Sequence, residues 1–319
     1  MGDFGSDYMY RALALAERGR GATRPNPPVG AVIVRNGKIV GEGWHKKAVG
    51  DHAEVAAIKK AGEKARGATL YVTLEPCSKQ GRVGACTQAI IDAKIAKVYF
   101  LETDPNPKNK GGARRALKKA NILCEKFKAD KELKAAARRL LAPFAKHVTT
   151  MIPFVTVKLA MSLDGKICDY KGDAKWVSSA KARAITGALR EKVDVIMVGG
   201  ETLRKDNPSL LSHSKPNKNL VRAIVSRSGN LPKEAQVFTD GKNKTLVFND
   251  AKSAVIELGK MGYMHILCEG GLNLAANLAK EGLVDEWICV LAPKVIADLP
   301  ISKAIKVEKI ECLPDSFNE

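Results

Sequence analysis

Two short stretches place the residues that could do chemistry: His52 and Glu54 in DHAEVAAIKK (51–60), and Cys77 and Cys86 at either end of CSKQGRVGAC (77–86). Positions two apart do not share a face in mid-helix. At a first turn, however, both side chains can enter a pocket at the helix end. One imidazole and two thiolates make a complete protein ligand set for a catalytic zinc, which takes three donors and leaves a position for water. Glu54 is then placed to take a proton from the activated water and deliver it to a departing amine. The order H-x-E, then P-C, then a later Cys is that of zinc-dependent deamination, where the glutamate is not a ligand. The second cysteine comes after eight intervening residues rather than the two of the usual pattern. Taken alone, His52 reads as a surface or core histidine and the cysteines as buried apolar thiols. The ordered set HAE, a strand, then TLEPC is far more specific.

The elements that must position these residues alternate along the first half. Strands are predicted at 29–34, 68–74 and 96–102, and helices at 52–65, 86–93, 111–120 and 129–147. That alternation suggests an α/β layered domain. A domain boundary is expected around 145–152, giving domains 1–147 and 148–319. The second half opens with a strand at 153–162 and continues with strands at 194–200, 219–226, 244–249, 264–271 and 285–296. Helices are predicted at 179–191 and 272–281, which makes a second α/β unit of buried-type strands.

Length also favours two domains for the 319 residues. No apolar run approaches the roughly 20 residues of a membrane helix. The N-terminal stretch reads as an amphipathic helix rather than a signal peptide, so a cytoplasmic protein is expected. Seven scattered cysteines argue against a disulfide framework. The net charge is +19, and residues 1–147 hold 29 Lys and Arg against 14 Asp and Glu. Such an excess suits nucleic acid or a phosphorylated small molecule, and a lysine-rich solvated surface accounts for it equally well.

RPNPPVGAVIV (24–34), GEGWH (41–45), DHAEVAAI (51–58), TLEPCSKQGR (73–82) and DPNP (104–107) resemble the N-terminal half of the bifunctional riboflavin-biosynthesis deaminase/reductase family. VKLAMSLDGKI (157–167), KWVSS (175–179), VGGETLRKDNPSLL (198–211), EGG (269–271) and the segment 283–296 resemble its C-terminal half. The resemblance covers nearly the whole chain in the family's order. It implies a cytidine-deaminase-like three-layer domain followed by a dihydrofolate-reductase-like domain. The first would use one Zn2+ to deaminate a diaminopyrimidinone ribosyl phosphate. The second would reduce the ribosyl group to ribityl with NADPH. A homo-oligomer is implied, with neither nucleic acid nor membrane as partner.

The resemblance also implies roles position by position. Asn26, His45, Lys79, Arg82, Asp104 and Asn106 would meet the deaminase substrate beside Glu54. Lys158, Ala160, Ala174, Trp176, Ser178, Arg190, Thr202, Asp206, Leu210, Glu269, Gly270 and Gly271 would meet the reductase substrate or cofactor. Arg190 is a candidate phosphate partner, and Lys158, Asp206 and Glu269 are unranked candidates for the polar group at the reacting centre. Glycine pairs before helices, Gly199–Gly200 and Gly270–Gly271, would let backbone amides approach cofactor phosphates.

Departures from the family pattern fall in both halves, at SKQGRVGAC (78–86) and KNKGGARR (108–115) in the first, and cluster around substrate-phosphate and cofactor contacts. His213 stands where an arginine is usual, Ser226 where an acidic residue is common, and Arg227 where a serine is. Two competing readings follow: a zinc deaminase acting on RNA, for which the basic first half would be the footprint, and a deaminase whose reductase-like half is inactive or a scaffold.

Overall fold

The computed structural model describes residues 4–78, 84–107, 109, 111–170, 177–212, 219–297, 300 and 304–306. The chain divides into two compact units, Met1–Phe154 with Val255–His265 and Val155–Ala254 with Ile266–Glu319. Among the described residues no helix is long and apolar enough to cross a membrane.

The first unit runs α1 (Phe4–Glu17), β1 (Gly30–Arg35), β2 (Lys38–Trp44), α2 (Ala53–Ala61), a 3₁₀ turn at Gly62–Ala65, β3 (Thr69–Leu74), α3 (Cys86–Asp92), β4 (Lys97–Glu102), α4 (Gly112–Lys119), β5 (Leu123–Lys126) and α5 (Lys131–Thr150). Its sheet has the order β2-β1-β3-β4-β5. The β2–β1–β3 pairings are antiparallel and the β3–β4–β5 pairings parallel. Strand side chains alternate between two cores, as the period of two requires. Ile33, Leu70, Val72 and Phe100 pack with Ala57 of α2, Ile90 of α3 and Leu117 of α4. Val32, Val34 and Leu101 pack with Met9 of α1 and Leu133 and Leu140 of α5. β1 and β3 are thus covered on both faces, which is why they read as continuous apolar runs.

Two of the differences from the predicted pattern bear on how the unit packs. α5 continues past residue 147, passing Pro143 within the helix, and closes at Met151 in the left-handed region (φ 62°). Strand β2, KIVGEGW, was not predicted, because two glycines break its apolar alternation. Those glycines have a packing role. A Cβ on Gly43 would strike the Ala53 carbonyl and lie 2.5 Å from the Ala57 nitrogen, and one on Gly41 would strike the Ala57 carbonyl. Helix α2 therefore rests directly on the backbone of β2.

The second half of the chain supplies β6 (Phe154–Ser162), α6 (Ala180–Arg190), β7 (Val195–Gly199), α7 (Gly200–Asp206), β8 (Val221–Val225), α8 (Gln236–Thr239), β9 (Thr245–Phe248), α9 (Ala251–Lys260), β10 (His265–Cys268), α10 (Leu272–Lys280) and β11 (Glu286–Ala292), with a small ribbon of β12 (Lys294–Val295) and β13 (Ile305–Lys306). The large sheet has the order β11-β6-β10-β7-β8-β9. β11 is parallel to β6, and β10, β7, β8 and β9 form a continuous parallel run. Ile196, Val198, Ile224 and Leu267 form its core with Leu203 and Val237. Parallel strands end on one edge, so the loops after β7, β8, β9 and β10 gather where ligands of open α/β sheets bind.

Candidate active sites

In the first unit His52 is the N-cap of α2 (φ −68°, ψ 161°), which places Glu54 in the first turn. Cys77 follows β3, and Cys86 is the first residue of α3. His52 Nδ1 lies 3.0 Å from Cys86 Sγ and 3.6 Å from Cys77 Sγ, and the two sulfurs are 3.2 Å apart. All three donor atoms fall within 4.8 Å of one another. A tetrahedral zinc with ordinary Zn–N and Zn–S bonds separates its ligands by about 3.3–3.8 Å. The donor set fits the metal; the His52–Cys77 separation lies inside this range, and the other two, at 3.0 and 3.2 Å, fall short of it.

The electrostatics are those of a closely packed thiol pair. The hydrogen bond from Cys86 draws the Cys77 thiol down to about 4, and the same bond together with burial pushes Cys86 well above its ordinary range. The backbone N–H of Cys86 also donates to Cys77 Sγ at 3.3 Å. The hydrogen bond with Cys77 raises His52. Burial, and then the charge of Cys77, push the Glu54 carboxyl up to about 7.

These groups open on a cavity of about 210 Å³ that also takes in Asn26, His45, Asp104 and Asn106. The His45 tautomer follows from its partners. Its Nδ1 lies 3.0 Å from the Asp51 carbonyl, which can only accept, so Nδ1 carries the proton. Burial lowers His45 and keeps the ring neutral. Nε2 then accepts from Asn26 Nδ2 at 3.1 Å, and that amide also donates to the Ala48 carbonyl at 3.3 Å. Asn26 is left with Oδ1 as its unused acceptor. Asp104 holds its own loop: Oδ1 accepts from the Asn106 nitrogen at 2.8 Å and Oδ2 from Asn109 Nδ2 at 3.1 Å. Lys79 and Arg82 lie outside the described residues.

In the second unit a cavity of about 370 Å³ is lined by Lys158, Ala160, Ser178, Arg190, Thr202, Asp206, Glu269, Gly270 and Gly271, together with Arg183 and Thr186. The structure separates the candidates that the sequence left unranked. Arg190 Nε and Nη2 donate to the two oxygens of Glu269 at 2.7 and 2.8 Å, and Nη1 donates to the Leu211 carbonyl at 2.9 Å. The guanidinium expected to meet a phosphate is therefore committed to an internal carboxylate. Lys158 makes no hydrogen bond or ion pair among the described residues, and burial lowers its ammonium pKa. Leu210 is not on the cavity wall; it belongs to the apolar core with Leu203 and Ile224. Asn207 instead caps α7 and accepts from the Gln236 nitrogen at 2.9 Å. Ala174, Trp176 and His213 lie outside the described residues.

Sequence reasoning passed over several lining residues. Arg183, Thr186 and Gly187 share one face of α6 with the predicted Arg190, at i, i+3, i+4 and i+7, which the spacing alone could have marked. Phe144 and Val148 reach the first cavity from α5, far along the chain from every motif, with no local signal.

Comparison with known proteins covers both halves of the chain. The model of the RibD C-terminal domain matches residues 153–302, and that of the cytidine and deoxycytidylate deaminase zinc-binding region matches residues 4–102. The riboflavin biosynthesis protein RibD of Aquifex aeolicus is 36% identical, with 95% of this chain and 93% of that protein covered. RibD of Synechocystis is 38% identical, with 91% and 84% covered. The chain belongs to the RibD family. The crystal structure of a Thermotoga maritima diaminohydroxyphosphoribosylaminopyrimidine deaminase/5-amino-6-(5-phosphoribosylamino)uracil reductase superposes with a TM-score of 0.85 at 32% identity, covering 93% of this chain and 89% of that one. Acinetobacter baumannii RibD gives 0.82 at 32% identity, with 97% and 92% covered. The fold is thus cytidine-deaminase-like in the first part and that of the RibD C-terminal domain, dihydrofolate-reductase-like, in the second, as expected. RibD relatives matched along nearly the full chain also disfavour the reading as an RNA deaminase.

Proposed function

We propose that this RibD-family chain performs two successive steps of riboflavin biosynthesis: hydrolytic deamination of 2,5-diamino-6-ribosylamino-4(3H)-pyrimidinone 5′-phosphate, then reduction of the ribosyl side chain to ribityl. The observation that carries the reading is a three-donor metal site beside a buried glutamate, in one polypeptide with a cavity at the strand ends of a reductase-like sheet. Zinc held by His52, Cys77 and Cys86 supplies the positive charge that makes a water nucleophilic at neutral pH. Glu54, buried and held near neutrality, takes the proton from that water and passes it to the departing amine, so water and the ring amine leave as ring carbonyl and ammonia. Asn26 Oδ1 offers an acceptor to a ring N–H, and neutral His45 holds Asn26 in that orientation.

NADPH supplies the hydride for the second step, and Gly199 and Gly271 offer it room, since a Cβ on either would meet nothing within 4 Å. Lys158 is the group best suited to protonate the nitrogen of the opened ribosylamine. It lines the cavity, its side chain makes no hydrogen bond or ion pair among the described residues, and its lowered pKa brings its proton within reach of transfer. The charge of Glu269, locked by Arg190, favours that ammonium through space. The enzyme is read as cytoplasmic and homo-oligomeric. The test uses zinc-quantified protein and the diaminopyrimidinone ribosyl phosphate, with products resolved by mass with and without NADPH. A deaminated product that becomes ribityl only when NADPH is present establishes both steps. Deamination that stops there establishes an inactive reductase half, and no deamination despite bound zinc refutes the reading.

A further inference from the structure

The segment Val255–His265 belongs to the first compact unit, although it lies within the stretch that the RibD C-terminal domain model matches. It holds the last turns of α9, a short turn, and His265 at the start of β10. None of its residues is a donor of the metal set or lines the deaminase cavity. Its contacts instead reach two elements that do line the cavity.

One of these is α5, which contributes Phe144 and Val148. Between them in sequence stands buried His147, whose Nε2 lies 3.1 Å from the Gly259 carbonyl. A carbonyl only accepts, so Nε2 donates. Gly259 also packs directly on the end of α5: a Cβ there would strike the Met151 carbonyl and come within 2.9 Å of Pro153 Cδ. The chain leaving α5 is then held again, because the Phe154 nitrogen donates to the Met264 carbonyl at 2.8 Å.

The other element is the loop between α1 and β1, which brings Pro25, Asn26 and Pro27 to the cavity. Here the Arg24 guanidinium lies over the Tyr263 ring, its central carbon 4.4 Å from the ring centre. Tyr263 is buried, so the ring is a fixed platform. A cation over an aromatic face is attracted by the ring quadrupole, the more strongly where water is excluded. The Asn26 nitrogen donates back to the Thr23 carbonyl at 2.9 Å, which closes residues 23–26 into one tight turn. Thr23 is buried at the start of that turn, Arg24 is seated on Tyr263, and Asn26 reaches the cavity. His45 and the Ala48 carbonyl hold the Asn26 side chain; the turn holds its backbone.

We infer that Tyr263 is a positioning residue for deamination: through Arg24 it fixes the turn that aims Asn26 at the pyrimidine ring. The assignment rests on the deaminase reading above. The test measures steady-state deamination by zinc-quantified, full-length Y263L, Y263F, R24M and the Y263L/R24M double variant. NADPH-dependent reduction of the deaminated product is followed as a control that a general loss of structure would lower. Y263L should raise the KM for deamination about 5- to 30-fold, the range for a shielded cation–π contact. Its kcat should hardly change, because Asn26 meets the ring alike in the ground and transition states. Y263F keeps the ring and should restore KM. R24M should match Y263L, with the phosphorylated substrate and its dephosphorylated form alike, and the double variant should be no worse than either single one. R24M leaves the packing of Tyr263 in place, so it decides the matter even where Y263L does not fold. An unchanged KM in R24M overturns the assignment, as does a rise that vanishes with the dephosphorylated substrate, which would make Arg24 a phosphate contact. A folded Y263L with wild-type KM, additive effects in the double variant, or reduction falling in step with deamination overturns it as well. Wild-type protein that holds zinc and deaminates nothing refutes the deaminase reading itself, and the assignment with it.

Discussion

Replacing Arg190 with methionine separates a structural arginine from a substrate-binding one. The side chains of Arg190 and Glu269 are only 14% and 11% exposed, and the pair is bidentate. Removing one partner of a fully buried pair costs about 3–5 kcal/mol, chiefly because the other charge is left uncompensated. Here Lys158 stands close enough to feel the Glu269 charge, so the lower end applies, about 3 kcal/mol. For a unit of this size each kcal/mol moves the melting temperature by about 2–4 °C, so R190M should melt about 6–12 °C lower. The Leu211 carbonyl also loses its donor, which adds in the same direction. Thermal melting of the full chain is the assay, with deamination at low temperature as an internal control that should be retained. A variant that melts within 2 °C of wild type and loses only affinity for the phosphorylated reductase substrate refutes this reasoning and returns Arg190 to phosphate binding.

Four further outcomes are expected. E54Q should lower the deamination rate by about 10²–10⁴-fold while zinc content, measured by atomic emission, stays at wild type; loss of zinc would assign Glu54 a ligand role instead. E269Q removes the charge that holds Lys158 up against desolvation, so Lys158 falls further and the alkaline limb of the reductase pH profile moves to lower pH; a limb that stays put argues against Lys158 as the proton donor. Asp164 is held at about 2, first by the Ser162 hydroxyl at 2.5 Å and then by the Ile296 and Ala297 nitrogens. Its folded pKa is depressed, so its contribution is complete above the ordinary carboxylate range and lost as pH falls through about 2. The melting-temperature gap between wild type and D164N should therefore narrow between about pH 4 and pH 2, and a constant gap would refute the linkage. G43A should lose zinc and deamination together while NADPH binding persists, because the added Cβ displaces α2.

The candidate donor set was legible because coordination chemistry restricts both residue type and order, so His52, Cys77 and Cys86 stand out in a single sequence and lie together in the fold. Buried strands such as β1, β3 and β7 were legible for a different reason, their uninterrupted apolar runs. What escaped was structure whose signal is weak or spread out. β5, LCEK, is a four-residue edge strand with mostly exposed side chains, so no alternation had room to develop. α9 carries Ala251, Ala254, Val255 and Leu258 at i, i+3, i+4 and i+7, all buried, a pattern diluted by lysine and serine between them. The internal commitment of Arg190 was not readable, since the separation of 79 positions from Glu269 is bridged only by the fold. The same holds for the His45 tautomer, which depends on the direction of a backbone carbonyl.

The bare contact between α2 and β2 bears on how the deaminase centre tolerates change. Gly41 and Gly43 carry no functional group, yet the helix presenting His52 and Glu54 takes its depth from their missing side chains. A scan that replaces each residue with alanine would therefore score these positions as severely as catalytic ones, although neither touches the cavity. A search for altered substrate preference should treat that interface as fixed and vary Phe144 and Val148, which line the cavity from α5 with apolar bulk alone.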